Sequence, residues 1–282
     1  MAAAGGRGRG GRGWRRRRAA PRVLLGLLAL VAGLADWSAP GGEPDAPPRP
    51  REVLLRAVDG VTVYADLLAV PGRHAPLVLL FHQTGSNSAE YAAVAPRLAR
   101  AGCASLATDQ RIGGNMFGRP NRTGRALYPD TAFAQAWPDL EAALHWAGRW
   151  TDGPLILWGS SYSATLALRL AARFPDRVAA VLAFSPGEYF PEDPALARRS
   201  AAAVRVPLLI AAMRGHEAAE ARALLAASPS PRQALYVSDT PLVHGALMLS
   251  PTDNTPQGTR EAWAAVAAFL APFCPGLQTG PS

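Results

Sequence analysis

Cysteine is scarce in this chain of 282 residues, where only Cys103 and Cys274 occur. Two cysteines cannot staple a small scaffold, so the fold must rest on an apolar core, and this length is enough to bury a large one. Histidine is sparse as well. His74, His82, His145, His216 and His244 lack the paired helical spacing of a zincin site, and no spaced cysteine and histidine cluster suggests structural zinc. No internal repeat or separate binding module stands out. The expectation is one catalytic domain needing neither metal nor organic cofactor.

A formal net charge of +8 would ordinarily point to nucleic acid or an anionic surface. Yet Arg7, Arg9, Arg12, Arg15, Arg16, Arg17, Arg18 and Arg22 all precede the first acidic residue, Asp36, and these eight match the whole excess. The remaining body is nearly neutral and carries no base-reading element, which argues against a nucleic-acid partner. Arg15 to Arg18 lead into the apolar stretch Val23 to Leu34, with Ala35 as a small residue at the cleavage point, so residues 1–35 read as an export signal. Adjacent arginines leave the twin-arginine route open. The stretch is short for a membrane span, which leaves a retained N-terminal anchor as the lesser alternative to cleavage.

Residues 36–50 read as a flexible Pro/Gly-rich lead-in, 51–274 as a single domain and 275–282 as a flexible tail. The expected location is periplasmic or extracellular, with no stable membrane partner once the signal is removed. Export would permit a disulfide, but nothing in the sequence pairs the two cysteines. Cys103 begins a strand-like run and reads as a small buried side chain.

Within the body, Arg51 to Val58 and Val61 to Val70 flank Asp59-Gly60 as a hairpin. Then strand and helix alternate. Apolar runs at Pro76 to Phe81, Ala104 to Thr108, Gly153 to Trp158, Val178 to Phe184, Val206 to Ala212 and Gln233 to Val237 read as strands. Helical spacing covers Ala89 to Arg100, Phe133 to Trp150, Ala164 to Phe174, Ala218 to Ala227 and Arg260 to Leu270. This order predicts an α/β fold with a mostly parallel central sheet, an N-terminal antiparallel hairpin and helices on both faces. The long connection from Arg111 to Arg125 has no periodicity of its own and is a candidate wall for a substrate entrance. It contains Asn121-Arg122-Thr123, an acceptor pattern for N-glycosylation in a suitable host.

The most informative residues are Trp158-Gly159-Ser160-Ser161-Tyr162-Ser163, between a buried strand and a helix. A sharp strand-to-helix turn there would lift the Ser161 hydroxyl clear of the sheet and aim backbone N–H groups at a tetrahedral oxyanion. A serine nucleophile needs a base, and the base needs an orienting acid. His244 follows the last strand, where a loop can carry it over the sheet. Glu217 follows the strand ending near Ala212 and is the favoured acid, with Glu220 and Glu188 as alternatives. Tyr162 and Gln83 are the candidate backbone donors to the oxyanion, Thr84 competing with Gln83. His82 reads as an organiser of its turn, while Asp109 and Arg111 read as an ion pair supporting the site floor, with an acidic substrate as the other option for Arg111.

In the ordered combination of Phe81-His82-Gln83-Thr84-Gly85-Ser86, Ala107-Thr108-Asp109-Gln110-Arg111, Gly159-Ser160-Ser161-Tyr162-Ser163 and Val243-His244-Gly245, the chain resembles the α/β-hydrolase superfamily over about Arg51 to Leu270, especially the dienelactone hydrolase-like branch of small serine esterases. That resemblance implies Ser161 as nucleophile, His244 as base, Glu217 as acid, and the backbones of Tyr162 and Gln83 as oxyanion donors. The final glycine of G-x-S-x-G is Ser163 here, and the nucleophile is serine where dienelactone hydrolase uses cysteine. The implied activity is carboxylic-ester hydrolysis of a small molecule through an acyl-serine. Thioester or amide hydrolysis, or a noncatalytic exported binding protein of the same fold, are the alternatives.

Overall fold

The computed structural model describes residues 49–124 and 132–277. Residues 1–35, expected as an export signal, most of the expected lead-in, the end of the long connection and residues 278–282 lie outside the described residues. Eight strands form one sheet in the order β1-β2-β4-β3-β5-β6-β7-β8. They are β1 Arg51–Arg56, β2 Thr62–Leu68, β3 Leu77–Phe81, β4 Ala104–Asp109, β5 Leu155–Ser160, β6 Ala180–Phe184, β7 Leu208–Ala212 and β8 Gln233–Val237. β1 with β2, and β2 with β4, run antiparallel, while β4, β3, β5, β6, β7 and β8 pair in parallel.

The helices are α1 Val94–Arg100, α2 Trp137–Trp150, α3 Tyr162–Arg173, α4 Leu196–Ala201, α5 His216–Ala227 and α6 Pro256–Leu270. Alternation along the inner strands divides the core in two. Leu77, Leu79 and Phe81 pack with α2 and α3 on one face, whereas Val78 and Leu80 pack with α1 and α6 on the other. Because both faces are covered, β3, β5, β6 and β7 are buried along their whole length and read as continuous apolar runs.

Three boundaries depart from the sequence pattern for identifiable reasons. The hairpin turn spans residues 57–61, because the Ala57 and Val61 backbones bond across it, Gly60 takes φ 87° and the Asp59 carboxylate receives the Val61 N–H. The run from Ala89 to Arg100 splits into a 3-10 turn at Ser88–Tyr91 and α1, since Pro96 has no N–H to bond residue 92 and is accommodated only in a first helical turn. The six-residue α4 is too short to leave a periodic signature.

The cysteines pair: Cys103, at the head of β4, is bonded to Cys274, beyond α6. Cys103 is buried, as its run suggested, and the structure adds the pairing that the sequence left open. Leu277 is also buried, so the packed domain continues past the boundary expected at 274.

Candidate active site

β5 ends in the turn that the sequence pattern required. Ser161 adopts φ 59° and ψ −127°, a strained conformation for a residue with a side chain, and α3 begins at the next residue. Gly159 makes the turn sterically feasible, since a Cβ there would fall 2.4 Å from Ser163 O and 2.5 Å from the Ala164 Cα. Ser163, at the family's final glycine position, is used rather than merely tolerated. Its Oγ lies 2.7 Å from Phe81 O and 2.8 Å from Ser160 O, and accepts the Ser160 N–H at 3.0 Å. The hydroxyl thereby ties the turn to the end of β3.

His244 and Glu217 come together from separate loops. His244 Nδ1 lies 2.7 Å from Glu217 Oε1, leaving Nε2 free of that contact. Glu217 sits in the first turn of α5, where it also accepts the Met213 N–H at 3.1 Å and the Ser185 hydroxyl at 2.7 Å. Burial opposes its charge, but the hydrogen bonds from His244, Ser185 and Met213 outweigh that cost and hold Glu217 below its ordinary carboxylate value. The alternative acids are engaged elsewhere: Glu188 accepts the Ala197 and Arg198 N–H groups at the head of α4, and Glu220 accepts the Glu188 N–H.

Ser185 is a residue the sequence reading missed. It follows the last residue of β6 at φ 50°, donates to Glu217 and accepts the Gly245 N–H at 3.1 Å, so it holds acid and histidine loop in register. A cavity of about 640 Å³ opens beside this group, lined by Glu188, Tyr189, His216, Glu217, Ala219, Glu220 and His244. Ser161 approaches the same region through Tyr189. Burial raises the Tyr189 phenol to about 12, with Glu217 and Glu220 acting in the same sense and the Ser161 hydroxyl in the opposite one. Among the described residues no hydrogen bond joins Ser161 Oγ to His244, a contact that commonly tightens only when substrate is bound.

The loop after β3 is pinned at both ends of one residue. Gln83 donates its N–H to Glu90 Oε2 at 3.0 Å, while its carbonyl lies 2.7 Å from His82 Nδ1 and 3.3 Å from the Ser86 N. The Gln83 N–H, expected to face an oxyanion, is therefore committed inward. A trans peptide points its C=O and the next N–H in opposite directions, so holding the Gln83 carbonyl also fixes the aim of the Thr84 N–H. No described hydrogen bond takes up the Thr84 or Tyr162 N–H.

His82 organises this turn as expected: it is fully buried, receives the Asn121 amide at Nε2, and is pushed by burial down to about 4, so it stays neutral. Asn121 is itself 2% exposed and bonds inward to His82 and Gln110, which removes it as a glycan acceptor in the folded chain.

The expected Asp109 to Arg111 pair is not formed. β4 ends at Asp109 and the chain bends away, so the two side chains find different partners. Asp109 receives the Ser88 N–H and the Arg122 guanidinium, whereas Arg111 is clamped between Asp139, at the start of α2, and Asp59 in the hairpin turn. Arg111 is thus spent on structure and not offered to an acidic substrate. Within the long connection, Asn87 donates to the Met116 and Arg119 carbonyls and binds that segment to the β3 loop. Met116 and Phe117 do not line the cavity beside His244.

The sheet order, the strained serine between β5 and α3, and the paired histidine and carboxylate beyond the parallel strands together define an α/β-hydrolase. The chain matches the family described as serine aminopeptidase, S33, over residues 72–275, and it belongs to that family. An esterase of Pyrococcus furiosus shares the fold at a TM-score of 0.60 and 17% identity, covering 79% of this chain and 92% of that one. A dienelactone hydrolase of Anabaena variabilis matches at 0.55 and 21% identity, covering 78% and 96%. An acylaminoacyl peptidase of Pyrococcus horikoshii matches at 0.61 and 12% identity, covering 83% of this chain and 43% of that one. No curated protein sequence matches the chain.

Proposed function

We propose that this hydrolase cleaves small carboxylic esters through an acyl-serine intermediate. The observation that carries the reading is the 2.7 Å contact between His244 Nδ1 and Glu217 Oε1, which leaves the opposite ring nitrogen free to serve as base for the strained Ser161. His244 Nε2 takes the Ser161 proton as Oγ attacks the acyl carbon, and the Tyr162 N–H stabilises the oxyanion together with the Thr84 N–H. Collapse expels the alcohol, which leaves with the proton held by His244. Water then gives a proton to His244 and attacks the acyl-serine, releasing the acid and restoring the Ser161 hydroxyl. Glu217 orients the ring and stabilises the imidazolium in both halves.

The cavity contributes Glu188, Glu217 and Glu220 and no arginine, which favours neutral or cationic acyl substrates over anionic ones. Export to an oxidising compartment is part of the same reading, supported by the Cys103 to Cys274 disulfide. The test uses a fluorophosphonate probe, a p-nitrophenyl ester series and an aminoacyl p-nitroanilide. The parent is expected to label once, at Ser161, and to turn over neutral esters faster than the anilide; Ser161→Ala is expected to lose both labelling and turnover. Labelling or ester turnover that survives Ser161→Ala rules this assignment out.

A further inference from the structure

Glu90 is a buried carboxyl, 7% exposed, that the acyl-transfer steps leave without a role. It lies on the 3-10 turn after the β3 loop, with Oε2 receiving the Gln83 N–H and Oε1 without a hydrogen-bond partner among the described residues. Burying such a group is expensive, and an apolar residue of similar volume would ordinarily be cheaper.

Its surroundings supply a reason. The Ser160 and Ser86 hydroxyls lie close enough to favour the charged form of the carboxyl, and Ser160, immediately before the nucleophile, accepts the Ala246 N–H at 2.9 Å. Gly245 is packed so tightly against this point that a Cβ would fall 2.4 Å from Ser160 Oγ and 2.9 Å from Gln83 Oε1. The β3 loop, the nucleophile turn and the histidine loop therefore meet around one carboxyl.

We propose that Glu90 is a positioning residue for acyl transfer: by fixing Gln83 against Ser160 it aims the Thr84 N–H at the oxyanion and keeps that donor in register with Ser161 and His244. The proposal rests on the acyl-serine reading. Burial raises the Glu90 pKa, while the Ser160 hydroxyl, the Gln83 N–H and the Ser86 hydroxyl act in the opposite sense. An amide at this position preserves the acceptor oxygen, whereas an aliphatic side chain does not.

The test compares the parent with Glu90→Gln, Glu90→Leu and Ser160→Ala by steady-state hydrolysis of p-nitrophenyl acetate, stoichiometric fluorophosphonate labelling and thermal melting. Glu90→Leu is expected to lower kcat about 100-fold with KM within about 3-fold, the size of effect of a misaimed oxyanion donor. Glu90→Gln should recover kcat to within about 10-fold of the parent. A Glu90→Leu enzyme that melts lower but keeps kcat overturns the proposal, and so does a Glu90→Gln enzyme as slow as Glu90→Leu. Should Glu90→Leu fail to fold, Ser160→Ala decides: a fall in kcat of about 10-fold at constant KM supports the clasp, and unchanged kcat overturns it. A parent that labels at Ser161 while these variants remain fully active sinks the positioning role alone. A parent that does not label at Ser161 sinks the acyl-serine reading beneath it.

Discussion

His82 shows how a single residue can serve the site without touching substrate. Its ring bridges the Gln83 carbonyl and the Asn121 amide, and burial holds it neutral down to about pH 4. Unfolded, the same ring takes up a proton near its ordinary value of 6.5. Between those values the unfolded chain binds more protons than the folded one, so stability falls as pH is lowered through this window and is fully present above it. The contribution lost is about 3 kcal/mol. Urea unfolding at pH 7 and pH 4.5 should show a larger loss for the parent than for His82→Gln; equal losses would refute the assignment. The turn-organising role of His82 was legible from its place after an inner strand. Ser185 was not legible, because its partners Glu217 and Gly245 lie 32 and 60 residues away and its own neighbours carry no motif.

Among the elements, the inner strands were readable to within two residues because burial on both faces leaves uninterrupted apolar runs bounded by turn residues. Their junctions are held by polar contacts that no periodicity reveals. Arg111 joins the hairpin turn to the start of α2 through Asp59 and Asp139, and its guanidinium is largely buried. Removing the cation would leave Asp139, which is 0% exposed, without its charge partner. Arg111→Met is therefore expected to cost about 3–5 kcal/mol in denaturant unfolding. The ratio of KM values for carboxylate-bearing and neutral esters should stay constant. A selective rise for the anionic ester would instead place Arg111 at the substrate.

Over the whole molecule, the disulfide ties the head of β4 to the segment beyond α6, closing a loop of 171 residues. A cross-link of that span restricts the unfolded chain strongly, and its loss is expected to cost about 2–5 kcal/mol. For a domain of this size that corresponds to a melting temperature lower by roughly 5–15 °C. Calorimetry of the Cys103→Ala, Cys274→Ala double variant beside the parent measures it directly. Coincident melting curves would show that the cross-link adds nothing to the packed core.

Local spacing by itself determined the strand order along the chain, the longer helices, the sharp turn at Ser161 and the place of His244 after the last strand, since these depend on side-chain period and turn chemistry over a few residues. Only the tertiary structure decided that Glu217, and not Glu188 or Glu220, meets His244, that Asp109 and Arg111 part company, that the cysteines bond, and that Gln83 turns its N–H toward Glu90. Each of those outcomes is a choice among several chemically suitable partners. It is settled by which loops the parallel sheet brings within about 3 Å of one another, the reach of a hydrogen bond.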